Sequence, residues 1–179
     1  MRTVAAISTP YGKGGVALIR ITGDEAIVIA EKVAIRTGKG TLSDAPSATA
    51  VRVTFEDRGV PFDDGLATVF RAPRSFTGED TVEIACHGGV LVTRNVLEVC
   101  LRAGARQALP GEFTRRAFLN GKLDLERAEA LGNLLDAGND EQVRLARAGM
   151  NGLLTDSAAT RGTWASTCWP ERIVRVPSR

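Results

Sequence analysis

The first part of the chain alternates between apolar and polar residues, which is the pattern of half-buried β-strands. Segments with apolar residues at helical spacing predict helices over residues 24–36 and 90–102. The acidic sequence FDDG at residues 62–65 predicts a turn before one of the strands. The predicted strands cover residues 4–8, 16–21, 49–55, 66–70 and 81–86. The order is therefore β-β-α, followed by three strands and a second helix.

After Pro110-Gly111 the pattern becomes helical only. A short helix is predicted over residues 112–119, ended by Asn120-Gly121 in left-handed conformations. Asp124 then offers an N-cap for a second helix that runs to residue 137, and a third helix is predicted over residues 141–150. Lys122 lies in the turn between the first two of these helices.

These elements predict an α+β fold, with a mixed or antiparallel sheet and helices on one of its sides. We assign residues 1–118 to this domain and residues 119–156 to the start of a helical domain. Residues 157–179 have no sustained period and read like a frame-shifted or foreign extension. The 44% content of hydrophobic residues is sufficient for one substantial core.

Composition narrows the class of protein. The net charge of +2 comes from 23 basic and 21 acidic residues that are interspersed, so RNA contact is neither implied nor excluded. The cysteines are three in number and lack CxxC spacing, and the chain has one histidine, which argues against a disulfide framework and a zinc site. No apolar run reaches the length of a membrane span, and the first ten residues lack the apolar core of a signal peptide. We expect a cytoplasmic protein without a membrane partner.

The sequence has no nucleotide-binding or hydrolase motif that would identify a catalytic residue. Three Gly-Lys pairs occur, but none is followed by Ser or Thr, so a phosphate-binding loop of the GxxxxGK[ST] type is not predicted. The sequence His87-Gly88-Gly89 joins a predicted strand to a helix, where backbone N–H groups can receive an anion. The alternative is a tight turn in which His87 packs or caps.

Three charged residues are better placed than the others. The period of two puts Arg20 on an apolar face of its strand with Val16 and Leu18, where it needs a partner if it is buried. Glu83 points away from the apolar face of its own strand, and Lys122 lies in a turn. Taken singly, each also fits a solvated or salt-bridged surface charge.

Three long segments resemble the N-terminal region of the MnmE (TrmE) tRNA-modification GTPases. They are IRITG at residues 19–23, FTGEDTVEIACHGG at 76–89 and PGEFTRRAFLNGKLDLERAEALGNLLDA at 110–137. The opening AISTPYGKGGVALIRITG is also similar to that family. The resemblance covers residues 3 to about 156.

The resemblance implies a domain that binds a reduced folate of the 5-formyltetrahydrofolate type, shares the fold of aminomethyltransferase folate domains and forms a homodimer. It further implies a role with an FAD-dependent partner protein in aminomethyl or carboxymethylaminomethyl modification of the tRNA wobble uridine. The family's folate contacts fall on Arg20, Glu83 and Lys122. Glu83 is then expected to accept paired N–H groups of the pterin, and Arg20 and Lys122 to bind carboxylates of the glutamate tail.

Parts of the family pattern are missing from this sequence. The G domain, which would use GTP, Mg and K in the full-length family protein, and the C-terminal Cys-x-Gly-Lys motif have no counterpart, and Cys86, Cys100 and Cys168 do not replace it. We therefore expect no GTPase activity, and exposed apolar side chains at Leu131, Leu134 and Leu135. The alternatives are a purely structural dimerisation module with an idle folate site and a free-standing aminomethyltransferase-like enzyme.

Overall fold

The computed structural model describes residues 1–151, which form two compact units, Met1–Leu109 and a second that begins at Pro110. The predictions made for residues 152–179, including the tail, lie outside the described residues. The first unit contains β1 (Val4–Ile7), β2 (Val16–Thr22), α1 (Ala26–Val33), β3 (Ala34–Arg36), β4 (Ala50–Asp57), β5 (Val60–Phe70), β6 (Thr81–His87), α2 (Val90–Arg102) and β7 (Arg106–Gln107). The second contains α3 (Glu112–Leu119), α4 (Leu125–Leu135) and α5 (Asp140–Met150).

The strands of the first unit form one mixed sheet in the order β3-β4-β5-β6-β2-β1-β7. All neighbours are antiparallel except β1 and β7, which are parallel. The predicted α+β class is confirmed. Strands β2 and β6 come from distant parts of the sequence and lie side by side at the centre of the sheet.

The core lies between one face of the sheet and the helices α1 and α2. Alternate residues of β2 and β6 supply it, while the residues between them face the opposite side. Helix α2 contributes Val96 and Cys100, neither of which has any exposed surface. The sheet residues of the core include Ala17, Ile19, Ile21, Val53, Phe55, Ala67, Val69, Val82 and Ile84.

Two local predictions for the first unit were wrong. The sequence FDDG lies inside β5, and the chain turns instead at Arg58 and Gly59, whose φ angles of 53° and 79° suit a tight hairpin between β4 and β5. The helix predicted over residues 24–36 ends at Val33, because Ala34–Arg36 pairs with β4 as an edge strand. The two adjacent aspartates interrupt the alternation of apolar and polar residues over 62–66. The first half of β5 was therefore not predicted from the sequence.

Capping interactions define the helices of the second unit. Helix α3 ends in a Schellman motif, in which Gly121 has a φ of 67° and Lys122 N donates to Ala117 O at 2.8 Å. Asn120, predicted to be left-handed, has a φ of −90° instead. The predicted N-cap Asp124 is confirmed, since its carboxylate accepts from Arg127 N at 2.8 Å. Of the three leucines expected to be exposed, Leu135 is 70% exposed, whereas Leu131 and Leu134 are partly buried.

Within residues 1–151, none of the helices combines the length and the apolar character that crossing a membrane requires.

Candidate functional site

Arg20 and Glu83 form an ion pair on the sheet face that turns away from the core. The register of β2 against β6 places them directly opposite each other, although 63 residues separate them in sequence. Arg20 donates from Nε and Nη2 to Oε1 of Glu83 at 2.9 and 2.6 Å. About a quarter of each side chain is exposed, at 23% and 24%. The pair is therefore partly desolvated and still open to a ligand.

The surroundings of this pair are small or apolar. Leu18 and Ala85 face each other one step along the same strands, and Ala6 of β1 lies opposite Arg20. Thr68 of β5 lies opposite Glu83 on its other side. A charged pair on an otherwise weakly polar surface can orient a ligand that combines a flat apolar body with hydrogen-bonding groups.

The carboxylate of Glu83 retains capacity to accept hydrogen bonds. Both bonds from Arg20 end on Oε1, which leaves Oε2 for another donor. A carboxylate with one oxygen held by a guanidinium and the other not bonded to it suits a ligand that presents N–H groups. The pair therefore offers an acceptor for the N–H groups of a planar ligand.

Phe76 lies over Arg20 and was not anticipated from the sequence. The Cζ atom of Arg20 is 5.4 Å from the centre of the ring, within the range of a cation–π contact. The residue as a whole is still 38% exposed. Its only sequence signal is an aromatic residue among small and polar neighbours in SFTGED, which by itself indicates no function.

A cluster of buried threonine hydroxyls lies next to this aromatic residue. The hydroxyl oxygen of Thr22 is 2.7 Å from that of Thr77 and 2.9 Å from that of Thr81. The Thr77 and Thr81 oxygens are 3.2 Å apart. We call Thr22, Thr77 and Thr81 the hydroxyl cluster. Because Thr22 belongs to β2, Thr81 to β6 and Thr77 to the loop between β5 and β6, the cluster ties that loop to the sheet.

Lys122 belongs to the second unit. It is the residue that donates to Ala117 O in the Schellman motif after α3, and it is exposed. The structure thus brings Arg20 and Glu83 together in the first unit, whereas Lys122 belongs to the helical unit.

His87 lies at the end of β6 and interacts with β5. Its Nδ1 is 2.6 Å from Oδ1 of Asp63, and its backbone N–H donates to Oδ2 of the same residue at 3.0 Å. With Asp64, these residues bring three possible metal-ligand atoms within 4.8 Å of one another. Sequence reasoning missed the group because β5–β6 pairing assembles it. Asp64 and His87 are exposed, Asp63 is already bonded to His87, and among residues 1–151 no further observation points to an ion.

The hydrogen bond that the His87 imidazole donates to Asp63 raises the pKa of His87 above its ordinary value of 6.5. We expect Asp63→Asn to lower that pKa, measured from the imidazole proton shifts of the chain's single histidine. Because the folded-state pKa is raised, the pair stabilises the fold below the unfolded-state pKa, and this contribution is lost as the pH rises through the folded-state pKa. An unchanged titration in Asp63→Asn would contradict the contact. Asp57→Asn, which removes a different surface ion pair, serves as the control.

The buried cysteines are chemically protected. Burial raises the pKa of the Cys86 thiol to about 11 and that of Cys100 to about 12. Since the thiolate is the reactive form, we expect neither to be alkylated in the folded protein at pH 8, and both to be alkylated in denaturant. Mass spectrometry of a Cys168→Ser variant measures this directly, and rapid labelling of the folded protein would contradict the burial.

The fold and the pair define a class: an α+β unit with a partly open, charged site on its sheet, followed by a helical unit. A family model described as "GTP-binding protein TrmE N-terminus" matches residues 3–122. The chain belongs to this family, and it is similar to curated proteins named tRNA modification GTPase MnmE.

Curated relatives agree with this assignment. The chain is 45% identical over 157 residues to the tRNA modification GTPase MnmE of Bacillus velezensis, covering 87% of this chain and 34% of that protein. It is 47% identical over 155 residues to that of Protochlamydia amoebophila (86% and 33%) and 46% identical over 159 residues to that of Bacillus subtilis (87% and 34%). The chain therefore spans about a third of the length of these relatives.

Proposed function

We propose that this chain binds a reduced folate of the 5-formyltetrahydrofolate type at Arg20 and Glu83, with Lys122 as a further contact. The observation that carries the proposal is the partly exposed Arg20–Glu83 pair on a weakly polar sheet face. Family membership supports the choice of ligand, because the residues that resemble the family's folate contacts include both members of the pair.

The contact between Arg20 and Glu83 changes the expected division of roles. The pterin and the glutamate tail are opposite ends of a folate, whereas the guanidinium and the carboxylate are bonded to each other. The expectation that Arg20 binds a tail carboxylate does not fit this contact. In the proposal, Glu83 accepts N–H groups of the pterin, Arg20 fixes the orientation of Glu83, and Lys122 binds a carboxylate of the tail.

The wider role follows from the family and forms part of the proposal. The chain forms a cytoplasmic homodimer and presents the folate for modification of the tRNA wobble uridine together with an FAD-dependent partner protein. In the longer family protein a G domain supplies GTP binding with Mg and K. This chain is expected not to hydrolyse GTP, because none of its Gly-Lys pairs is followed by Ser or Thr.

Calorimetric titration of the purified protein with 5-formyltetrahydrofolate tests the binding step. We expect saturable binding that Arg20→Ala abolishes and Arg94→Ala preserves. Arg94 is the matched control because it also loses an ion pair, with Glu98, but lies exposed on α2. Absence of binding by the folded wild-type protein, or equal binding by Arg20→Ala, would contradict the proposal.

A structural dimerisation module with an idle folate site is the second candidate. The observation in its favour is that Arg20 and Glu83 satisfy each other, as a purely structural salt bridge does. Sedimentation velocity combined with the titration separates the two candidates. A dimer that binds no folate supports the structural module, and a dimer that binds folate supports the first proposal.

A further inference from the structure

The loop between β5 and β6 (residues 71–80) presents Phe76 at the edge of the Arg20–Glu83 site. The loop is closed on itself by a hydrogen bond from Ala72 N to Asp80 Oδ1 at 2.8 Å and by one from Ser75 Oγ to Glu79 O. Phe76 therefore projects from a loop with defined geometry. The residue is more than one-third exposed even though its ring contacts the guanidinium of Arg20.

The hydroxyl cluster fixes this loop beside the site. Thr77 follows Phe76 directly in the chain and has no exposed surface. Its partner Thr22 lies two residues after Arg20 on β2, and Thr81 lies two residues before Glu83 on β6. Because residues two apart in a strand share a face, the cluster lies on the same sheet face as the charged pair, one step along each strand. The position of Phe76 is thus set by the strands that carry Arg20 and Glu83.

A partly exposed phenylalanine at this point can stack on a planar ligand, which a polar loop residue cannot do. Ring faces stack on planar conjugated groups, and such stacking adds to binding beyond the area that it buries. Glu83 offers hydrogen bonds at the edge of a planar ligand, while Phe76 offers a flat apolar surface nearby. Together they select a ligand that has both a hydrogen-bonding edge and a conjugated ring.

We propose that Phe76 is an aromatic wall of the site that stacks on the conjugated ring of the ligand, and that the hydroxyl cluster is the positioning element that holds it over Arg20. This inference rests on the proposed folate function. Phe76 contacts the ligand, whereas Thr22, Thr77 and Thr81 act through the loop. The hydroxyls of the cluster are buried and bind no ligand themselves.

The test compares affinities for 5-formyltetrahydrofolate across matched variants. We expect Phe76→Leu to bind about tenfold more weakly and Phe76→Tyr to bind like the wild type, because tyrosine keeps the ring. Phe62→Leu, which removes an aromatic ring from β5 rather than from the loop, is the control and should leave the affinity unchanged. Wild-type affinity in Phe76→Leu would overturn the inference while the proposed function stands. No binding by the wild type would overturn both.

The positioning role is tested at Thr77. We expect Thr77→Val to weaken folate binding severalfold and Thr77→Ser, which keeps the hydroxyl, to restore it. Nuclear Overhauser effects between the Phe76 ring and the pterin protons in the wild-type complex give a measurement that does not depend on any variant folding. Their absence in a saturated complex would overturn the aromatic wall, and equal affinity of Thr77→Val and the wild type would overturn the positioning role.

Discussion

Glu83→Gln is expected to weaken binding of 5-formyltetrahydrofolate by about 10- to 100-fold, which corresponds to the roughly 1.5–3 kcal/mol of hydrogen bonds to a charged group. Glutamine keeps the size of the side chain, but its amide replaces one acceptor oxygen with a donor that faces the N–H groups of the pterin. It also weakens the hold of Arg20, whose two hydrogen bonds end on Oε1 of this carboxylate. Titration calorimetry measures the change.

The fold itself should tolerate this substitution. About a quarter of each side chain in the Arg20–Glu83 pair is exposed, and solvent screens such pairs, so we expect a change of less than about 1 kcal/mol in the free energy of unfolding. Glu98→Gln on α2 is the control for loss of a surface carboxylate and should bind folate normally. Unchanged affinity in Glu83→Gln would exclude Glu83 from the ligand contacts.

Gly65→Ala is expected to lower the free energy of unfolding by about 3 kcal/mol, at the upper end of the cost of overpacking a core. A Cβ atom at this position collides with the backbone carbonyl of Ala85 on β6 and lies 3.0 Å from Cε2 of Phe55. The carbonyl belongs to a central strand and cannot move away without disturbing the pairing of β5 with β6. Urea unfolding followed by circular dichroism measures the loss.

Gly15→Ala is the matched control for this prediction. It adds the same methyl group in the first unit, at a position where nothing lies within 4 Å of the new Cβ and where φ is not positive. We expect its unfolding midpoint to lie close to that of the wild type. A Gly65→Ala variant as stable as Gly15→Ala would contradict the close approach of β5 and β6.

Elements with a long, uninterrupted pattern were predictable from the sequence. Helix α2 has the predicted bounds, 90–102, because its apolar residues recur at helical spacing between a glycine pair and Gly104. Helix α3 also has its predicted bounds, because Gly111 and Gly121 flank its two ends with positive φ angles. By contrast, β3 and β7 contain three and two residues, too few for any period, and exist only because neighbouring strands offer them partners.

For the candidate site, too, local sequence patterns predicted only part of the structure. The period of two placed Glu83 on the face away from Val82 and Ile84, as observed. The partner of Arg20 could not be derived from local pattern, because a register between strands 63 residues apart depends on the whole sheet. The hydroxyl cluster and the Asp63–His87 contact were missed for the same reason, since each joins side chains from separate strands.

A crystal structure of the protein soaked or co-crystallised with 5-formyltetrahydrofolate is the most direct test of the central claim. We expect the pterin to lie within hydrogen-bond distance of Oε2 of Glu83, with Arg20 still bonded to Oε1. A folate bound with its pterin remote from Glu83, or crystals grown at saturating folate with no ligand at the Arg20–Glu83 pair, would contradict it.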